Sequence, residues 1–173
     1  MDRFPESLHQ LSTFLNEGGF AHVLVGGWAV NFHGHSRNTV DIDFLLPNSE
    51  RSRAEAFFSS AGYQLVHQVP MVSRFQKLET QLEAVDLMWT PDDSFESIIQ
   101  RAVSSQPLVV ALSELLAMKL YALQANEDRS GRDLLDIREL LKNNDRDIST
   151  TQWYSLVERY APQEFQTELK KLR

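Results

Sequence analysis

Three aspartates interrupt apolar stretches of this chain, and carboxylates in such surroundings are the groups best suited to do chemistry. Asp41 and Asp43 alternate with Val40, Ile42 and Phe44 in the stretch NTVDIDFLLP, and Asp86 interrupts EAVDLMW. In a strand, residues two apart share a face. Asp41 and Asp43 are therefore expected side by side, with Val40, Ile42 and Phe44 turned the other way. In the second stretch Val85, Leu87 and Trp89 share one face and Asp86 takes the other. Neighbouring carboxylates repel, and more so as water is removed. A divalent cation resolves the conflict, and magnesium suits carboxylate oxygens completed by water and phosphate. A lone D-x-D, or Asp86 by itself, is equally the solvated face of an amphipathic strand. If the two strands are neighbours, the three carboxylates meet at one sheet edge and can hold two metal ions. Such a pair activates an attacking oxygen and stabilises a leaving phosphate oxygen.

Upstream, the apolar run HVLV stops at Gly26 and Gly27. Glycines there let the backbone approach a ligand closely, and N–H groups at a following helix start favour anions. A plain strand-to-helix turn has the same sequence. Arg37 can bridge a phosphate or pair with Asp41 or Asp43. His33 and His35 flank Gly34, but without further nearby His or Cys ligands they read as loop histidines and not as a transition-metal site. Lys119 lies among Leu115, Leu116, Met118 and Leu120, where a lysine is ordinarily solvated. Asp133 and Asp136 lie about one helical turn apart, within reach of Arg132 and Arg138. Trp153, Tyr154 and Tyr160 follow helical spacing and read as core, not as a stacking platform.

These residues need elements to position them. Residues 4–17 show helical periodicity, with Pro5 in the first turn and Gly18-Gly19 as the stop. FAHVLV reads as a buried strand, GWAVNFHG as a short helix ending at Gly34, and NTVDIDFLLP as a second strand. NSERSRAEAFFSSAG is expected to be a helix with Asn48 or Ser49 as N-cap and Gly62 at its end. YQLVHQV, MVSRFQKLE and EAVDLMW give three more strands, followed by a short helix from TPDD. Beyond about Leu112 the pattern is helical, with Ser113 a candidate N-cap. The fold expected is α+β: a mixed sheet of about five strands flanked by helices, then a helical C-terminal part. The boundary falls between residues 1–111 and 112–173.

The 173 residues carry a formal net charge of −7 and no cysteine. The acidity disfavours a general polyanion binder, although a local basic cleft remains open. Disulfides and thiolate zinc sites are excluded. The N-terminal residues lack a signal pattern and no apolar run approaches a membrane span, so a soluble cytoplasmic protein is expected.

The combination of Gly26, Gly27, Ala29, Gly34, Arg37, Thr39 and the Asp41–Asp43 pair with a later strand aspartate resembles the DNA polymerase β-like nucleotidyltransferase superfamily. It looks most like the small bacterial AbiEii-toxin-type enzymes, whose K-L-x-A and R-D-x-x-D-I-x-x-L-L stretches resemble AMKLYALQANEDRSGRDLLDIRELL. The GGWAV segment is also similar to aminoglycoside and lincosamide nucleotidyltransferases. The resemblance spans roughly residues 20 to 142.

It implies an enzyme that moves a nucleoside monophosphate from a nucleoside triphosphate to an acceptor and releases pyrophosphate, with two magnesium ions. Asp41, Asp43 and Asp86 would bind the metals, with Asp86 also taking the acceptor's proton. Gly26 and Gly27 would cradle the triphosphate, with Arg37 nearby. Lys119 would contact phosphates, and Asp136 would place the acceptor or Lys119. The acceptor would be a tRNA end or a protein, with a cognate antitoxin as a further partner and no membrane. Lys119, Arg129, Arg132 and Arg138 could form a basic strip for RNA. A small-molecule acceptor is the alternative, with Glu83, Asp92 and Asp93 as its acidic pocket, and so is a non-catalytic antitoxin or partner-binding module. The chain departs from the superfamily in having Gly27 where many members have serine. Asn31 stands where drug-modifying enzymes often carry an acid. The chain is also short for a full AbiEii toxin.

Overall fold

The computed structural model describes residues 4–77, 84–124 and 127–173. The chain divides into two compact units, Met1–Ala29 with Arg37–Val110, and Val30–Ser36 with Ala111–Arg173.

The first unit opens with α1 (Glu6–Glu17), which ends at Gly18. Strand β1 (Val23–Leu24) leads into α2 (Gly26–Phe32). Strand β2 (Ile42–Pro47) follows, then a 3-10 turn at Asn48–Glu50 and α3 (Arg51–Ser60). The hairpin of β3 (Gln64–Val69) and β4 (Val72–Gln76) precedes β5 (Val85–Thr90) and α4 (Asp92–Arg101). Among the described residues the strands form one mixed sheet in the order β1-β2-β5-β4-β3, with β2 and β5 parallel and the other pairs antiparallel. The expected α+β fold with a sheet of about five strands is what the chain adopts.

Alternation along β2, β5 and β4 sorts the two faces. Ile42, Phe44, Leu46, Val85, Leu87, Trp89 and Phe75 share one face and are buried. Aromatic contacts from α1 and α3 cover it: Phe14 stacks on Phe57 at 4.4 Å, and Phe58 meets Phe75 at 5.0 Å. Ser73 is the polar member of this face. Its hydroxyl donates to Glu55 at 2.6 Å and accepts from Trp89 Nε1 at 3.0 Å, so its burial leaves no partner unsatisfied.

The second unit contains α5 (Leu112–Ala122), α6 (Glu127–Asn143), α7 (Thr150–Tyr160) and α8 (Gln163–Lys170). Leu115, Leu116, Leu120, Ile137, Leu140, Trp153, Val157 and Leu169 are buried. Trp153 lies in this core and donates to the Leu169 carbonyl at 2.9 Å, whereas Tyr154 is exposed. Ser149 caps α7 in a reciprocal arrangement with Gln152, which satisfies donors that a helix start otherwise leaves open.

Several local expectations are corrected. β2 begins at Ile42 because its ladder with β5 begins at the Ile42–Val85 pair. Val40 therefore precedes the strand and is 73% exposed, not part of the apolar face. The helix expected from Asn48 starts instead at Arg51, and neither Asn48 nor Ser49 caps it with a side chain. Ala111, not Ser113, occupies the N-cap of α5, and the Ser113 hydroxyl turns to Glu114. No helix among the described residues is long and apolar enough to cross a membrane.

Candidate active site

Register assembles the acidic site. Asp43 on β2 is paired with Asp86 on β5, and Asp86 with Arg74 on β4. Paired residues on neighbouring strands share a face, so Asp43, Asp86 and Arg74 form a row across three strands. Asp41 lies two residues before Asp43, just ahead of the strand. The row sits on the face opposite Phe44 and Leu87.

Arg74 ties the row together. Its Nε donates to Asp86 Oδ1 and its Nη2 to Asp86 Oδ2, each at 2.7 Å. The same Nη2 reaches Asp41 Oδ2 at 3.2 Å. Asp41 and Asp86 thus lie within two hydrogen bonds of one atom. The hydrogen bonds to Asp86 hold the Arg74 guanidinium above its usual range; partial burial opposes this, and the charges of Asp86, Asp41 and Asp43 add to it. The side chain of Asp86 is 12% exposed and that of Arg74 35%.

The two glycines are explained by close approach, but of the chain's own side chains. Gly26 has φ +63°, and a Cβ there would overlap the Asp43 carboxylate. A Cβ on Gly27 would overlap the Thr39 hydroxyl and come within 3.3 Å of Arg37 Nη2. Arg37 Nη1 donates to the Asn38 carbonyl at 3.2 Å. Gly26 thus packs under Asp43, and Gly27 under Thr39 and Arg37.

The second unit has its own charged cluster. Lys119 Nζ on α5 lies 2.7 Å from Asp133 and 2.8 Å from Asp136, both on α6. The Asp136 side chain is fully buried, and His35 Nε2 lies 3.6 Å from its other oxygen. Asn143 and Asn144 hold the loop carrying His35 by donating to the carbonyls of Gly34 and His33 at 2.9 and 2.8 Å. Lys119 is therefore an ion-paired group, and Arg132 and Arg138 remain exposed on α6. Of the cations expected in a local basic strip, Lys119 is thus matched by two carboxylates.

Asp92 and Asp93, expected in the acidic pocket for a small acceptor, lie exposed in the first turn of α4. Asp92 accepts the Ser49 N–H at 3.1 Å and Asp93 that of Ser94 at 2.8 Å. Hydrogen bonds from Ser49 hold the exposed Asp92 carboxyl below its usual range. Glu83 and the side chain of Arg129 lie outside the described residues.

Sequence patterning missed Arg74. Its only signal is a cation at the polar position of the alternation Val72–Ser73–Arg74–Phe75, and register alone turns that into a partner for Asp86.

A mixed sheet bearing an acidic row beside a glycine turn defines a nucleotidyltransferase fold, and solved structures agree. The chain matches ANT(2")-Ia in complex with adenylyl-2"-tobramycin with a TM-score of 0.65 at 15% identity, covering 89% of this chain and 97% of that one. It matches the lincomycin-bound lincosamide antibiotic adenylyltransferase LnuA with a TM-score of 0.60 at 16% identity, over 82% and 98% of the two chains. A putative nucleotidyltransferase from Thermotoga maritima gives 0.51 at 14% identity, over 75% and 90%. At such identities the likeness concerns fold. No curated protein matches the chain in sequence. The family model for the nucleotidyl transferase AbiEii toxin of type IV toxin–antitoxin systems matches residues 9–172. The chain belongs to this AbiEii nucleotidyltransferase family, and family and fold together support nucleotidyl transfer from a nucleoside triphosphate.

Such enzymes usually work with divalent metals, and the carboxylates of Asp41, Asp43 and Asp86 are the right donors for a hard cation. Among the described residues, however, no three His, Cys, Asp or Glu side chains close on a common point. The cation between Asp41 and Asp86 is the Arg74 guanidinium. The site therefore suits a divalent ion if Arg74 gives way.

Proposed function

We propose that the protein is a metal-dependent nucleotidyltransferase of the toxin type, which transfers a nucleoside monophosphate to a tRNA end or a protein and releases pyrophosphate. The observation that carries this is the row of Asp43, Asp86 and Arg74 with Asp41 beside it, built on neighbouring strands next to Gly26. Asp41, Asp43 and Asp86 would hold magnesium, which when bound neutralises phosphate charge and activates the attacking oxygen. The chain's own part is to orient groups and match charge, since phosphoryl chemistry asks little covalent work of a protein.

The acceptor's nucleophile attacks the α-phosphate, its proton passes to the Asp86 carboxylate, and the bond to pyrophosphate breaks. The Gly26-Gly27 turn would lie beside the triphosphate, with Gly26 seating the Asp43 carboxylate and Arg37 alongside. For Lys119 and Asp136 the reading rests on the sequence motif: Lys119 is the phosphate-contacting cation, and Asp136 with Asp133 orients its ammonium. Residues 1–111 supply the catalytic core and 112–173 the helical part. A cognate antitoxin is the expected partner, and the cytoplasm the expected compartment.

The toxin reading is preferred to a small-molecule acceptor because the family match runs over nearly the whole chain. The test is incubation of the purified protein with magnesium, each labelled ribonucleotide, and tRNA, protein or aminoglycoside acceptors. Label should move to a macromolecule, and Asp43→Ala should abolish it. Transfer that is undiminished in Asp43→Ala would place the chemistry elsewhere. Absence of nucleotide binding by calorimetry would favour a non-catalytic module.

A further inference from the structure

The mechanism above gives Arg74 no part, yet it is the group most tightly engaged with the acidic row. We propose that Arg74 is the built-in counter-cation of the aspartate site, a positioning residue that holds Asp41 and Asp86 together in place of a divalent ion and so lowers the site's affinity for that ion. The inference rests on the nucleotidyltransferase reading and adds to it a residue that sets when metal enters.

Three observations support it. First, the contact is built into the fold. Arg74 and Asp86 are paired across β4 and β5, and the guanidinium meets Asp86 through two parallel hydrogen bonds of 2.7 Å. That fork geometry is the strongest and most directional form of a carboxylate pair. Second, the same Nη2 also reaches Asp41, so one cation joins two of the three carboxylates proposed to hold metal. Both oxygens of Asp86 are turned to Arg74, the oxygens an incoming ion would need. Third, a guanidinium does not lose its proton at any ordinary pH. Its charge therefore opposes a divalent ion unless the side chain moves, and at 35% exposure it has solvent to move into. A lysine would act as a compact point charge in the same place, without the fork.

The experiment is a manganese titration of the purified full-length chain without nucleotide, following free Mn2+ by electron paramagnetic resonance. Wild type is compared with Arg74→Ala, Arg74→Gln and Arg74→Lys, each checked for folding by circular dichroism. The neutral variants should bind Mn2+ about tenfold tighter than wild type, a Coulomb gain kept modest by the partial exposure of Arg74. Arg74→Lys should stay within about threefold of wild type, because the charge is retained. A merely structural role predicts the opposite sign, since loosening the carboxylates would weaken binding. If Arg74→Ala misfolds, Arg74→Gln decides. If both misfold, recovery of the fold on adding Mn2+ supports the proposal and lack of recovery overturns it.

A folded Arg74→Gln with wild-type or weaker affinity overturns the role of Arg74 alone, provided Asp43→Asn still removes Mn2+ binding from wild type. If Asp43→Asn leaves Mn2+ binding unchanged, or no variant binds the ion, the proposal and the metal-site reading both fall.

Discussion

Replacing Lys119 by methionine tests the charged cluster of the helical unit. Lys119 Nζ lies 2.7 Å from Asp133 and 2.8 Å from Asp136, and the three side chains are 13%, 11% and 0% exposed. Methionine keeps most of the length and volume, so the change is chiefly one of charge. Removing one partner of a buried ion pair costs about 3–5 kcal/mol, because the other charge is left without compensation. Asp133 retains some contact with water, which favours the lower end, about 3 kcal/mol.

For a chain of this length each kcal/mol is worth about 2–4 °C, so melting should fall by about 6–12 °C. Thermal unfolding followed by circular dichroism measures it. The triple variant Lys119→Met with Asp136→Leu and Asp133→Asn removes both carboxylate charges as well. It should recover to within about 1 kcal/mol of wild type, since well-packed apolar groups often replace a buried pair at little cost. A single variant melting within about 2 °C of wild type, or a triple variant no better than the single, would refute the electrostatic account. The recovered triple variant also separates roles: if it is folded yet transfers no nucleotide, the Lys119 cluster is needed for the chemistry and not only for the fold.

Two further outcomes are expected. Gly26→Ala should cost about 1–2 kcal/mol for its left-handed backbone and in addition displace the Asp43 carboxylate, so transfer should fall as it does in Asp43→Ala. Gly19→Ala, with φ +70° and open space around it, is the matched control: similar destabilisation by urea denaturation with activity unchanged is expected, and equal activity in both variants would rule out the Asp43 contact. His22 is buried, which pushes its pKa below the usual histidine range against the opposing hydrogen bond to the Phe20 carbonyl. Nδ1–H donates to that carbonyl at 2.9 Å and Ser12 Oγ lies 2.7 Å from Nε2, an arrangement that suits the neutral ring. The unfolded chain then binds the proton more readily. The stability His22 confers is therefore present above the ordinary histidine pKa and is lost as pH falls below it through the lowered folded-state value. The loss should approach at most about 1.4 kcal/mol per pH unit, and urea midpoints of His22→Gln should lack that slope. An unchanged slope would exclude His22 as its source.

Much of the site was legible because its cues are local. Alternation with a period of two put Asp41 and Asp43 on one face and Asp86 opposite Val85 and Leu87, and the structure agrees at every strand position. Val40 and Asp41 precede the strand, because β2 starts where its partner β5 does. Gly18 ends α1 as its sequence suggests, whereas Asn48, Ser49 and Ser113 cap no helix with their side chains. Those positions carry residues with good capping chemistry, and tertiary packing started the helices elsewhere.

By itself the sequence determined which side chains share a face, where the chain must turn at Gly26, and that the C-terminal part is helical, because each follows from spacing along one segment. The tertiary structure alone decided that Arg74 clasps Asp86 and Asp41, that Asp43 fills the space over Gly26, and that Lys119 is matched by Asp133 and Asp136. These depend on strand register and helix packing between residues far apart in the chain, and a one-residue slip in either would turn each of these groups to the wrong side.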